Sequence, residues 1–197
     1  MNNKILLHML RDLSGMCDQT KSAFFANNQV FLANAGRIGE KILGDLDTYR
    51  KTDANDLSLE AYDVLAEICN LMLRICRNVE RKIEQRILFS TKAVLEISHL
   101  FTQLRSLFEI ADDVIKFSDQ FVLDLFIGNQ ASFDGLHEKF INNHKNRILE
   151  GTCLTGGASI YLDILIATRN ISMCLTKLVF MEPCISPIKE PTVMESQ

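Results

Sequence analysis

Two carboxylates in the middle of the chain have the residue types and the spacing for metal binding. Glu109 and Asp113 are four residues apart, which places both side chains on one face of a helix, one turn from each other. Carboxylate oxygens at this spacing can share a metal ion. An ordinary interpretation competes, because Asp112 and Lys116 have the spacing of an ion pair on a solvated helix face. We favour the solvated face.

A second group combines imidazoles with carboxylates. Asp134, His137, Glu138 and His144 lie within three helical turns, a composition that suits a transition metal. The two histidines are seven residues apart, however, and the H-E-x-x-H spacing does not occur. One surface histidine and one histidine at the edge of the core is the interpretation we favour. We expect no resident metal or other cofactor, and the weak candidate ligands are Glu109, Asp113, Asp134 and His144.

Nucleophilic catalysis leaves no recognisable pattern in this sequence. The glycine-rich segment GTCLTGG at 151–157 matches neither the G-x-S-x-G elbow nor a phosphate-binding loop, which requires G-K-S/T. Gly151 instead has the position of a residue that ends one helix before the next begins. We therefore predict that the protein is not an enzyme.

The composition is that of a globular protein. The 197 residues are 47% hydrophobic and 23% charged, and the formal net charge of −4 without a Lys/Arg cluster argues against a nucleic-acid partner. The six cysteines form no C-x-x-C motif, which favours reduced thiols in the core. The most apolar stretch, 162–181, is interrupted by charged residues, and the N-terminus lacks a signal-peptide pattern. We expect a cytoplasmic protein without a membrane span.

The spacing of apolar residues predicts helices throughout. All three prolines lie after residue 181, so none interrupts a helix before it. Apolar residues recur at three- and four-residue steps over about 3–26, 30–49, 58–89, 133–150 and 159–180, with glycines weakening the second helix. The longest helix is predicted to run from Ser90 through Leu125 until Gly128. Short connectors favour an all-α, six-helix antiparallel bundle.

An internal duplication is indicated by an offset of 96 residues. This offset aligns Glu67 with Asp163 and Ile75 with Ile171, which weakly supports two similar three-helix halves. We accordingly assign residues 1–89 to the first repeat, 90–181 to the second repeat and 182–197 to a flexible tail.

Three stretches resemble the PhoU-like family. HKNRILEGTC (144–153) followed by SIYLDIL (159–165) is similar to the family's H-x-x-R-x-x-x-G motif and the Y-L-D helix start that comes after it. LFSTKAVLEISHLF (88–101) looks like the phenylalanine-serine entry into the second three-helix repeat. The resemblance covers roughly residues 4–178 and is closest to the cytosolic PhoU-like region of bacterial sodium/phosphate cotransporters.

The resemblance implies two three-helix repeats, a cytoplasmic location and control of inorganic phosphate uptake. Such a protein acts by contact with a phosphate transporter or a sensor kinase, and not by turnover. Two alternatives stay open: a cytosolic domain cut from a sodium/phosphate cotransporter, and a metal-binding bundle with replacement ligands. Pairing of exposed apolar stripes makes a homodimer a further expectation.

Many members of this family carry an E/D-x-x-x-D metal motif on the third helix of each repeat. Here the corresponding positions are Leu73, Arg77, Arg169 and Met173. The neighbouring helices carry Gly36 with Arg37, and Asp134 with Glu138. Cationic and apolar side chains cannot replace hard oxygen ligands. The resemblance therefore implies a PhoU-like scaffold without the family's metal clusters.

Overall fold

The computed structural model describes residues 4–51, 58–152 and 155–181, and within these ranges all regular structure is helical. The predicted all-α class is confirmed. The six helices are α1 (Lys4–Ala26), α2 (Gln29–Lys51), α3 (Leu59–Glu84), α4 (Thr91–Phe117), α5 (Gln120–Leu149) and α6 (Thr155–Met181).

The helices pack as two groups of three. Helices α1, α2 and α3 contact one another, as do α4, α5 and α6, and the two groups meet through α1 with α4 and through α3 with α6. In the latter pair Arg74 bonds Asp163 and Arg81 bonds Ser159, so the two helices run antiparallel. This arrangement is compatible with two three-helix repeats. The repeat boundaries stay a prediction, and the tail at 182–197 lies outside the described residues.

The core is formed by the apolar stripes that the sequence indicates. On α3 the fully buried positions include Leu65, Ile68, Met72, Ile75 and Val79, at alternating three- and four-residue steps. Burial of each such side chain contributes about 1.5–3 kcal/mol. Packing also explains why α2 forms over its whole length despite its glycines, because it buries Leu32, Ala35, Gly39, Ile42 and Leu46.

Four cysteines are part of this core. Cys17, Cys69, Cys76 and Cys174 are buried free thiols, as predicted. Burial raises the pKa of Cys17 to about 12, with the charge of Asp18 acting in the same direction. These thiols therefore stay protonated and serve as small apolar side chains. Cys153 and Cys184 lie outside the described residues.

The junction between α4 and α5 differs from the prediction. The chain leaves α4 at Phe117, where Ser118 adopts a left-handed conformation (φ 50°, ψ 41°). Asp119 then caps α5, because its Oδ1 accepts hydrogen bonds from the amides of Phe121 and Val122 at 2.9 and 3.2 Å. The predicted single helix through Leu125 is therefore wrong.

This break changes which side chains face the core. Phe121 and Leu125, which the apolar period of the predicted single helix places on its inward face, are 77% and 46% exposed, while Leu123 and Phe126 are buried. Gly128 lies inside α5 and ends no helix. The apolar period continues across residue 118, so periodicity alone cannot detect a helix boundary that two capping residues determine.

Three other boundaries are set by local backbone chemistry. Helix α3 ends at Glu84, five residues before the predicted end, where Arg86 adopts a positive φ of 51°. Helix α5 ends at Leu149, and Gly151 (φ 65°) stops the chain there, as predicted, while the Thr152 amide donates to the Arg147 carbonyl at 3.0 Å. Helix α6 begins at Thr155, before the predicted start. A Cβ on its Gly157 would lie 3.2 Å from the Leu88 carbonyl oxygen.

Helix α6 is long and apolar enough to cross a membrane, by length and composition alone. The segment Gly156–Met181 is predominantly apolar, and just over half of its most apolar part is buried within the bundle. The expectation of a protein without a membrane span therefore stays a prediction. A core helix of a soluble protein has the same properties.

Candidate functional site

A buried polar cluster joins the three helices of the second group. Its central contact is an ion pair between Glu96 on α4 and Arg147 on α5, with Nη2 2.8 Å from Oε2. Arg147 Nη1 also donates to Glu96 Oε1 at 3.1 Å. The Tyr161 hydroxyl on α6 donates to Oε2 at 2.5 Å, and Asn143 Nδ2 donates to Oε1 at 2.7 Å. With His144, these residues form what we term the Glu96 cluster.

Ring contacts complete the cluster. The His144 imidazole stacks on the Tyr161 ring with centroids 4.8 Å apart, and the Arg147 guanidinium lies 5.0 Å from the centre of the same ring. Arg147 is in the last turn of α5, where a positive charge interacts favourably with the helix dipole. Glu96, His144, Arg147 and Tyr161 are each less than a tenth exposed.

Burial and hydrogen bonding act in opposite directions on Glu96. Burial by itself raises the pKa of this carboxyl, but hydrogen bonds from Arg147, Tyr161 and Asn143 outweigh it and leave the pKa below its usual value. The pKa of Arg147 is raised, because its bonds to Glu96 and Tyr161 outweigh burial. Burial lowers the pKa of His144, and the charge of Arg147 adds to this effect. At neutral pH the cluster is thus a charged pair surrounded by neutral groups.

This arrangement holds three helices together through the carboxylate of Glu96. Both oxygens of Glu96 accept hydrogen bonds, so the carboxylate is a poor general base. A buried pair of this kind fixes the register of the elements that carry it, since removing either partner leaves a buried charge. The cluster thus joins α4, α5 and α6 through one buried ion pair and its hydrogen bonds.

All residues of the cluster except Asn143 come from the three stretches that carry the PhoU-like resemblance. His144 and Arg147 belong to the H-x-x-R-x-x-x-G segment, Tyr161 begins Y-L-D, and Glu96 lies within 88–101. The role of Glu96 was missed by sequence reasoning. The sequence feature that could have revealed Glu96 is its position: it is an acidic residue on the same helix face as the apolar residues Ala93, Ile97 and Leu100.

The first pair of candidate metal ligands does not form a site. Glu109 accepts a hydrogen bond from Arg105 Nε at 3.0 Å, and Asp113 is exposed. Asp112 pairs with Arg11 of α1 at 3.1 Å, so the predicted ion pair with Lys116 is wrong. Lys116 instead lies 4.6 Å from the centre of the Phe117 ring.

The second group is likewise dispersed. Asp134 Oδ2 accepts from Gln130 at 2.7 Å, and His137 Nε2 lies 3.0 Å from the Leu165 carbonyl oxygen. Asp134 and His144 are ten residues apart on one helix, about 15 Å along its axis. Both histidines are buried, so the expectation of one surface histidine is wrong. No three His, Cys, Asp or Glu side chains in the described ranges are placed to hold a metal ion.

The positions on α3 that correspond to the family's first metal motif lie close to the corresponding positions on the neighbouring helix α2. Gly36 and Arg37 on α2 face Leu73 and Arg77 on α3 across a groove of about 500 Å³. Arg37 is hydrogen-bonded to Asn34. Guanidinium groups thus occupy two positions where the resemblance implies carboxylates, and Glu40, Glu80 and Glu84 line other parts of the groove.

Comparisons with known proteins found no matching family model, curated protein or solved structure. The PhoU-like resemblance therefore rests on the residues of this chain.

Proposed function

We propose that this protein is a non-enzymatic, PhoU-like regulator of inorganic phosphate transport that acts in the cytoplasm by contact with a phosphate transporter or a sensor kinase. The observation that carries the proposal is the Glu96 cluster. The stretch 88–101 supplies Glu96, and the two neighbouring stretches about fifty residues later supply Arg147 and Tyr161 to the same buried contact. Motifs that a family shares because they maintain its packing are expected to contact one another in the folded protein.

The chemistry of the cluster supports a scaffold over a catalyst. Catalysis requires a nucleophile, acid or base that can reach substrate. Glu96 is saturated by hydrogen bonds, and the pKa of Tyr161 is raised by burial and by its bond to Glu96, which keeps the hydroxyl protonated. The buried Cys17 thiol, with its pKa raised to about 12, is equally unsuited to nucleophilic attack.

Exposed apolar side chains near the α4–α5 junction support contact with another protein. Phe117, Phe121 and Leu125 are 57%, 77% and 46% exposed. Phe121 and Leu125 are four residues apart and so share one face of α5. Aromatic and aliphatic side chains presented together in this way are typical of protein contacts.

Phosphate uptake in cells tests the proposal. Deletion of the gene is expected to abolish the decrease in radiolabelled phosphate uptake that follows a shift from low to high external phosphate. Complementation with the native chain restores this response, and Phe121→Asp weakens it because a charge enters the exposed apolar surface. Asp124→Asn, on the same helix, is the control. An uptake response that is unchanged by deletion would contradict the proposal.

A further inference from the structure

A cleft at one end of the bundle has apolar walls and two cationic groups. It lies where the end of α1, the end of α3 and the start of α4 meet, and its volume is about 480 Å³. This volume is within the range of small-molecule sites. The apolar walls include Phe24, Ile87 and Phe89, and the charged lining residues are Lys82 and Arg86. None of the described residues that line it is acidic. We term it the Lys82 cleft.

Lys82 is a buried ammonium group whose hydrogen-bond acceptors are neutral. The residue is 8% exposed, and its Nζ donates to the Phe24 carbonyl oxygen at 2.6 Å and to Asn27 Oδ1 at 2.5 Å. It also lies 4.4 Å from the centre of the Phe24 ring. An ammonium has three donors, and no carboxylate of the described chain forms an ion pair with this one. Burial lowers the pKa of Lys82, with no opposing negative charge.

Arg86 has a backbone conformation that favours glycine. It follows the end of α3 with φ 51°, and the Ile87 amide donates to the Lys82 carbonyl at 2.9 Å. Helix α5 ends with the same pattern of bonds and has glycine at the matching position, Gly151. A left-handed non-glycine residue costs about 1 kcal/mol. An arginine at such a position, with its side chain lining a cleft, indicates that the guanidinium has a role of its own.

We propose that the Lys82 cleft binds a small amphipathic carboxylate, with the carboxylate held between Lys82 and Arg86 and the apolar chain packed on Phe24, Ile87 and Phe89. The carboxylate supplies the negative charge that the cleft lacks, and the apolar chain displaces water from its walls. This inference is independent of the proposed role in phosphate transport.

Decanoate, below its micelle concentration, is the probe. Titration into isotope-labelled full-length protein is expected to shift the amide resonances of residues 24–27 and 82–94. Decanol and decyltrimethylammonium, which have the same chain without the negative charge, bind at least about tenfold more weakly, as expected when a charge-assisted hydrogen bond is lost.

Variants at position 86 separate binding from folding. Arg86→Gly is expected to raise the free energy of unfolding, because it relieves the left-handed strain, and yet to weaken decanoate binding about fivefold or more. Arg86→Gln weakens binding to a similar degree without the gain in stability. Arg77→Gln, on α3 and in the groove between α2 and α3, is the matched control and leaves the affinity unchanged.

Three results would overturn the proposal. These are an affinity for decanol equal to that for decanoate, an affinity of Arg86→Gly equal to that of the native chain, and resonance shifts confined to residues outside the cleft. Lys82→Met adds a further test if circular dichroism shows a native helical content, since binding is then expected to be lost.

Discussion

Glu96 on α4 bonds residues of both α5 and α6. Glu96→Gln removes the negative charge and leaves the Arg147 guanidinium buried without an ion-pair partner. We expect the free energy of unfolding to fall by about 2–3 kcal/mol, measured by urea denaturation at pH 7.

Glu109→Gln is the matched control on the same helix, because Glu109 pairs with Arg105 at the surface. Its effect should stay below about 0.5 kcal/mol. Equal effects of the two substitutions would show that the buried pair contributes nothing beyond a surface contact.

The two buried histidines give the protein a dependence on pH. Burial lowers the pKa of both His137 and His144 from the ordinary 6.5. The unfolded chain therefore binds more protons between the two values, so stability is full above pH 6.5 and is lost as the pH falls through the folded-state pKa. Each histidine contributes at most about 1.4 kcal/mol per pH unit to the slope of the free energy of unfolding against pH. Titration of the imidazole proton resonances of His137 and His144 checks the direction of these pKa shifts. Midpoints at or above pH 6.5 would contradict it.

Part of the candidate site could be predicted at the scale of residues. His144, Arg147 and Tyr161 lie in stretches that the PhoU-like resemblance singles out, as does Glu96. Glu96 was not recognised, because its partner Arg147 is 51 residues away and only the packing of helices brings them together. Sequence spacing likewise suggested the four metal candidates, but spacing along one helix does not show whether other helices add ligands.

At the scale of elements, the start of α5 depends on Asp119. Asp119→Ala removes the side chain that accepts from two amides of the first turn. We expect a loss of about 1 kcal/mol, measured as a lower urea midpoint with an unchanged slope. Asp124→Ala, at an exposed position one turn further along, serves as the control. A normal stability of Asp119→Ala would contradict the assigned role of this cap.

The existence of the helices could be predicted more reliably than their ends. The stripe of α3 from Leu65 to Val79 indicates its buried face directly, because one face of the helix supplies the core. The α4–α5 junction could not be predicted in this way, since Ser118 and Asp119 interrupt the backbone without interrupting the apolar period. Arg86 ends α3 without glycine or proline, so the sequence there carries no standard stop signal.

At the scale of the whole molecule, the two groups of three helices meet through helices in corresponding positions. Helix α1 contacts α4, and α3 contacts α6, as expected for two similar units related by a rotation. The offset of 96 residues pairs the same helices. A homodimer stays a prediction, as does the cytoplasmic location.

The central claim is that this chain regulates phosphate transport by binding a protein. The most direct measurement is capture of the tagged chain, with crosslinking, from native membranes and cytosol at low and high phosphate, followed by mass spectrometry. Phe121→Asp is captured in parallel, with Asp124→Asn as its control. The account predicts enrichment of a phosphate transporter or its sensor kinase with the native chain and a reduced yield with Phe121→Asp. Recovery of neither partner at either phosphate concentration would contradict it.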